Sequence, residues 1–215
     1  MTLTEKALAQ YTNLTISERF YLYMRSHTCP LEKICDAVPM EGRILDVGSG
    51  SGIFARMLAL QSPQRRILGI EPDSAKVQFA QKGTALTNLS FEFRNPCLPQ
   101  EEELFDGITV VDVLYLLPPD DQRNLLRALA RHLNPTGHFL IKCMDTRRRM
   151  KIAWDEMQEF LSVKVLRLTY GQGIHHVSLE IISRWLDEDS GLSVQFKSID
   201  QGYIHPHLLI VARWS

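Results

Sequence analysis

The stretch Arg43-Ile-Leu-Asp-Val-Gly-Ser-Gly-Ser-Gly-Ile-Phe-Ala55 constrains this chain more than any other. It reads as a buried strand, a glycine-rich turn and the start of a helix. A strand that ends in an acid and runs into Gly48, Gly50 and Gly52 is a backbone that lets a ligand approach very closely. Asp46 is the discriminating residue. Beside a pyrophosphate its charge would repel, whereas beside an ammonium or sulfonium it attracts, so the turn is expected to receive a cationic ligand.

Asp46 followed by Gly48, Gly50 and Gly52 resembles the first motif of the class I S-adenosylmethionine-dependent methyltransferases. The competing dinucleotide pattern G-x-G-x-x-G fails from Gly48, because position 53 is Ile. Its relaxed form ending in Ala fits Gly50, Gly52 and Ala55, so a nucleotide-dependent oxidoreductase on a related fold stays open on the turn alone. Further on, Arg66-Ile-Leu-Gly-Ile-Glu-Pro-Asp73 is an apolar strand ending in Glu71. It lies close to the roughly 20-residue spacing at which an acid meets ribose hydroxyls. A carboxylate accepts both hydroxyl protons, and the resemblance assigns Glu71 that role.

The chain has 215 residues, 45% of them apolar, which suits one well-buried domain spanning residues 1–215. A net charge of −1 gives no basic field for steering onto nucleic acid, and none is expected as a partner. No apolar run reaches membrane-spanning length, and Met1-Thr-Leu-Thr-Glu-Lys lacks the basic-then-apolar order of a secretion signal. The expected location is cytoplasmic. Cys29, Cys35, Cys97 and Cys143 lack CxxC spacing and read as reduced thiols rather than a zinc site or disulfide framework.

The first forty residues look helical, with Thr15-Ile-Ser-Glu18 as a capping box. They either cover one sheet face or lie over the substrate side, as in the resembling enzymes. From Arg43, short apolar strands alternate with amphipathic helices, the rhythm of a parallel α/β sheet. Strands are expected at 44–47, 66–70, 89–93, 107–113 and 138–142, and helices at 52–60, 74–82 and 119–132. Residues 143–192 exceed an ordinary crossover and hold two helix patterns, 149–166 and 178–187, read as a substrate-side insertion. Segments 192–199 and 205–213 read as a β-hairpin. The resemblance implies a seven-stranded Rossmann-like sheet in the order 3-2-1-4-5-7-6, its last strand antiparallel, with helices on both faces.

In such a sheet, ligands sit at the carboxyl ends of the parallel strands. Asn95 stands after the third strand, where the family usually has an Asp that accepts from the adenine amino group; its side-chain oxygen can still accept. Asp112 is a lone acid at the end of the apolar fourth strand and needs donors, a cation or water. With Tyr115, it lies on the segment that in the family lines the methionine end of the cofactor and the acceptor entrance. Methyl transfer needs alignment of donor and acceptor more than bond-making by the protein. A hydroxyl acceptor would be helped by a base, for which His205, His207, His175 and His176 are candidates. His175 and His176 follow Gly171 and Gly173, which permit motion or close approach. No metal is expected, since the paired histidines lack further ligands at useful spacing.

Lys142 and Asp145 should emerge on the ligand side, followed by the basic run Arg147-Arg-Arg149 and Lys151. An acidic or carrier-bound acceptor would suit that charge. Trp154, Met157, Phe160 and Leu161 either roof an apolar pocket or pack their helix on the sheet. Taken together, the residues and the resemblance lead to an S-adenosylmethionine-dependent methyltransferase acting on a small molecule, with an oxygen acceptor favoured. A non-catalytic cofactor-binding interaction protein is the remaining alternative, and the oligomeric state is open.

Overall fold

The computed structural model describes residues 1–144, 175–203 and 206–215. Two short helices, α1 (Leu3–Ala9) and α2 (Ile16–Thr28), precede α3 (Leu31–Cys35), and both α1 and α2 begin with a capping box. At α2 the Thr15 hydroxyl accepts from the Glu18 N–H at 3.2 Å while Glu18 takes the Thr15 N–H at 2.8 Å. This reciprocal pair satisfies two of the donors left open at a helix start.

The sheet then begins, with β1 (Gly42–Val47), α4 (Ile53–Gln61), β2 (Arg65–Glu71), α5 (Ser74–Ala80), β3 (Leu89–Phe93), β4 (Phe105–Val111), α6 (Pro119–Ala130) and β5 (Leu133–Met144). After the second described segment starts come α7 (Leu179–Ser190), β6 (Leu192–Ser198) and β7 (His207–Trp214). The strands form one seven-stranded sheet in the order β3-β2-β1-β4-β5-β7-β6. β7 runs antiparallel to both β5 and β6, and the remaining pairs are parallel. The expected order, orientation and hairpin are all present.

Alternation along the central strands sorts the core into two layers. Leu45 and Val47 of β1 pack with Ile108 and Val110 of β4 beneath α6 and α7, where Leu126, Leu129, Ile182 and Leu186 are buried. Ile44, one residue out of phase, faces the opposite layer with Ala7, Leu22, Ile34, Met57 and Leu58 from α1 to α4. The N-terminal helices therefore cover a sheet face, and α1 packs on α4.

The fifth strand starts earlier than expected. Leu133 pairs with Phe105 and His138 with Gly107, so Asn134-Pro-Thr-Gly137 forms an irregular step within the strand rather than a turn before it. The Asn134 amide ties this step to Asp106 at 2.7 Å. A Cβ at Gly137 would lie 2.8 Å from Leu133 Cδ1, which explains the small residue there. The helix pattern expected at 149–166 lies outside the described residues. Among those described, no helix is long and apolar enough to cross a membrane.

Arg65 anchors the edge of the sheet away from the site. Its residue is 0% exposed, and its guanidinium donates to the carbonyls of Cys35, Val38, Pro39 and Leu58 and to the Gln61 side chain. Those carbonyls lie on the end of α3, the approach to β1 and α4, so one cation joins three elements. Arg65→Leu is expected to cost about 3–5 kcal/mol in urea unfolding, because several buried acceptors lose their donor together. A loss under about 1 kcal/mol would mean that water replaces the guanidinium.

Candidate active site

The carboxyl ends of β1, β2 and β4 meet at one edge of the sheet. Asp46 is 2% exposed and sits opposite Thr109 of β4, whose hydroxyl donates to it at 3.0 Å. Burial pushes its carboxyl up to about 7, against the pull of the Thr109 hydroxyl and of Arg25. The acid therefore changes charge within the neutral range, and a nearby cation would draw it to the ionised form.

The glycine turn leaves β1 along the end of β2. Ile70 carbonyl accepts from the Gly48 and Ser49 amides at 2.8 and 3.0 Å, and Glu71 Oε2 accepts from the Gly50 amide at 2.8 Å. Gly48 and Gly50 both have positive φ, at 69° and 54°. Their surroundings differ. A Cβ on Gly48 would strike Val113 Cγ2 at 2.5 Å, and one on Gly52 would strike Phe91 Cζ at 2.6 Å. A Cβ on Gly50 would meet nothing nearer than 4.0 Å, so its bare backbone faces open space. Two glycines are thus required by packing as well as by backbone conformation, and the middle one by its left-handed backbone alone.

Glu71 is 4% exposed, with Lys76 Nζ 4.0 Å from its other oxygen. Burial raises its carboxyl above the usual range, opposed by Lys76 and the Gly50 amide. The N-terminal segment braces the turn from above: the Tyr11 hydroxyl donates to the Ser51 carbonyl at 2.7 Å, and the Arg56 guanidinium lies 5.0 Å from the Tyr11 ring centre. After β3, the Arg94 amide donates to the Glu71 carbonyl at 3.1 Å. Asn95 follows, exposed, before a cis bond to Pro96.

At the end of β4, Asp112 adopts a left-handed backbone with φ of 59°. An acid is among the few residues that tolerate this. Its two oxygens are each engaged by a cation, Oδ2 by Arg25 Nη1 of α2 and Oδ1 by Lys142 Nζ of β5, both at 2.5 Å. The Cys29 thiol donates to Oδ2 at 3.6 Å. Burial alone would raise this carboxyl, but Lys142 and Arg25 outweigh it and hold the group far below the usual carboxylate range. The lone acid expected from the sequence has its partners, and α2 reaches the ligand edge through Arg25.

Tyr115 lies half-buried beyond Asp112, its phenol raised chiefly by burial. Its carbonyl accepts from the His175 amide at 2.8 Å, while Gln122 of α6 clamps the His175 carbonyl at 3.0 Å. The His176 ring stacks on Tyr115 with centres 6.2 Å apart, and burial lowers its pKa below the ordinary imidazole value. His207 is 4% exposed and meets the Tyr203 ring edge-on at 5.6 Å. His205, Asp145, the run Arg147 to Lys151, Trp154, Met157, Phe160, Leu161, Gly171 and Gly173 lie outside the described residues.

The structure thus brings together Asp46, Gly48, Gly50, Gly52, Glu71 and Asp112 at one edge, with Tyr115 following Asp112 and His175 and His176 against Tyr115. Arg25 and Cys29 are additions that the sequence did not reveal. The available signal was the position of Arg25 on the capped α2, but only tertiary packing shows which strand end it meets.

This sheet order, with its acid, glycine turn and second acid, defines a class I S-adenosylmethionine-dependent methyltransferase. Residues 22–195 match the family model described as a methyltransferase domain. The chain belongs to that family and is a methyltransferase. No curated protein is a sequence match to the chain.

Solved structures share the fold at low identity. One is from the complex between the Haloferax volcanii Trm112 methyltransferase activator and a methyltransferase, with TM-score 0.70 and 21% identity over 92% of this chain and 93% of that one. Magnesium protoporphyrin IX methyltransferase from Synechocystis PCC 6803, with bound S-adenosylhomocysteine, gives 0.64 and 14% over 98% and 93%. Mitomycin 7-O-methyltransferase gives 0.66 and 18%, and this chain spans 61% of its length.

Asp46 imposes a pH dependence on stability. Its unfolded value is near 3.8 and its folded value about 7, so the folded state keeps the proton longer. Its contribution is most favourable below the unfolded value and is lost as pH rises through the folded one. The thermal midpoint of Asp46→Asn should therefore gain on that of the parent as pH rises from about 4 to about 7. Parallel midpoint curves across that window would show that Asp46 is hydrated rather than buried.

Proposed function

We propose that the chain is one methyltransferase domain that binds S-adenosylmethionine at the glycine turn and methylates an oxygen atom of a small, acidic or carrier-bound molecule. The observation that carries this reading is the open backbone of Gly50, poised between buried Asp46 and Glu71. S-adenosylmethionine supplies a methyl group already activated by positive sulfur. Asp46 would balance its cationic end, and Glu71, holding the Gly50 amide with Oε2, would offer its other oxygen to the ribose hydroxyls. Asn95, exposed after β3, is proposed to accept from the adenine amino group.

Asp112 is proposed to lie near the methionine end of the donor and the acceptor entrance, a reading supported by Val113 beside it, which lies against Gly48. Tyr115 and the His175-His176 pair form the wall of the acceptor mouth. Within that pair, His176 offers a ring kept neutral by burial, the form in which an imidazole takes a proton from a hydroxyl. His175 contributes through its backbone, and His205, outside the described residues, is proposed as a second candidate base. The expected substrate-side role of 143–192 is supported at His175, whose amide donates to the Tyr115 carbonyl, whereas the last part of that segment, α7, buries Leu179, Ile182 and Leu186 in the core.

The direct test incubates the protein with methyl-labelled S-adenosylmethionine and a panel of small acids that carry both hydroxyl and amino groups, and follows label into the organic product. Label on oxygen is the expected outcome, and label on nitrogen or carbon alone would refute oxygen specificity. Gly50→Val should abolish calorimetric binding of S-adenosylhomocysteine while the circular dichroism spectrum is kept; unchanged affinity would remove the turn from the site. Glu71→Ala should weaken the same binding by about 1.5–3 kcal/mol, the scale of a charged hydrogen bond. A loss below about 0.5 kcal/mol would remove the ribose assignment.

A further inference from the structure

We infer that Arg25 and Lys142 form a receptor for an anionic oxygen group of the acceptor, a carboxylate or ionised hydroxyl, with Asp112 as its resident counter-ion. The inference deepens the methyl-transfer reading and rests on it.

Charge and hydrogen-bond counting both lead there. Two cations face one carboxylate, one of them, Lys142, buried and the other, Arg25, only partly so, which leaves one positive charge beyond what Asp112 balances and room for an anion to join it. A guanidinium and an ammonium together present many more N–H donors than one carboxylate can accept. Among the described residues, Asp112 is the hydrogen-bond acceptor of both. The other polar ends around it add donors. The Cys29 thiol and the Tyr115 phenol are both held protonated, chiefly by burial. Asp46 is the other acid whose charge acts on Arg25, and its Oδ1 accepts the Thr109 hydroxyl. The cluster is rich in donors and short of acceptors, the reverse of a site for a cation.

Its geometry suits a ligand arriving at the carboxyl ends of the strands. The Lys142 side chain is 3% exposed and forms the floor, whereas Arg25 keeps 26% of its side-chain surface accessible and forms the lip. Tyr115, stacked on His176, gives a planar wall alongside. The left-handed backbone at Asp112 sets its carboxylate between the cations without help from a ligand, so the receptor is preformed and electrostatically occupied before the acceptor binds. An incoming anion shares the guanidinium with Asp112, which keeps the cations ordered between turnovers.

The test compares benzoate with benzamide, which match in shape and differ in charge, by ligand-observed NMR on the full chain saturated with S-adenosylhomocysteine. Benzoate should bind about tenfold more tightly or better, the scale of a charge-assisted contact. Arg25→Met should erase that preference, Arg25→Lys should restore part of it, and S-adenosylhomocysteine affinity should stay within about twofold in both, which also reports folding. Asp112→Asn should tighten benzoate binding, because the resident competitor is gone. Equal binding of the two probes, or binding of neither, overturns the inference. So does a large loss of S-adenosylhomocysteine affinity in Arg25→Met and Arg25→Lys with the circular dichroism spectrum kept, which would assign Arg25 to the carboxylate of the donor. Failure of the underlying reading is distinct, since unsubstituted protein would then bind no S-adenosylhomocysteine.

Discussion

The hydrogen bond from the Gly50 amide to Glu71 joins the two strand ends on which the site depends. It bends the turn after β1 over the end of β2, with the Ile70 carbonyl holding the two preceding amides. Asp46 is thereby buried directly beneath the turn, and the Gly50 backbone is left uncovered. Each part needs the others. Without the close packing of Val113 on Gly48 and Phe91 on Gly52, the turn would have no fixed height above the sheet.

The edge divides by charge. On the side of β1 and β2 lie two acids whose carboxyls are raised by burial and which favour a cationic partner. On the side of β4 and β5 lies a carboxylate overcompensated by two cations. A positively charged donor and an electron-rich acceptor would be drawn to opposite halves of this edge, an arrangement that favours their alignment over any covalent role for the protein. The N-terminal helices serve both halves. Tyr11 braces the glycine turn and Arg25 reaches Asp112 at the end of β4.

Much of this was legible in the chain because the signals are local. The apolar runs ending in Asp46 and Glu71 announced parallel strands, and the glycines announced a close backbone approach. Strand ends shifted by a few residues, as at β5, where a tether from Asn134 to Asp106 draws a proline-containing step into the strand. Thr15 and Glu18 marked the start of α2 correctly. The partner of its Arg25 was not legible, because the pair is separated by 87 positions and depends on how α2 lies across the sheet. Asp112 could be singled out as an unpaired acid in an apolar strand, and its need for donors, a cation or water deduced, but not which of these it meets. The dinucleotide alternative likewise persisted in sequence, since Gly50, Gly52 and Ala55 satisfy both patterns.

That alternative also defines the most direct measurement. Calorimetric titration of the purified chain with S-adenosylhomocysteine, and separately with NAD, asks whether a buried acid beneath an open glycine selects a methyl donor over a dinucleotide. The account predicts saturable binding of S-adenosylhomocysteine, displaced by S-adenosylmethionine, and none of NAD. Binding of NAD alone would contradict it.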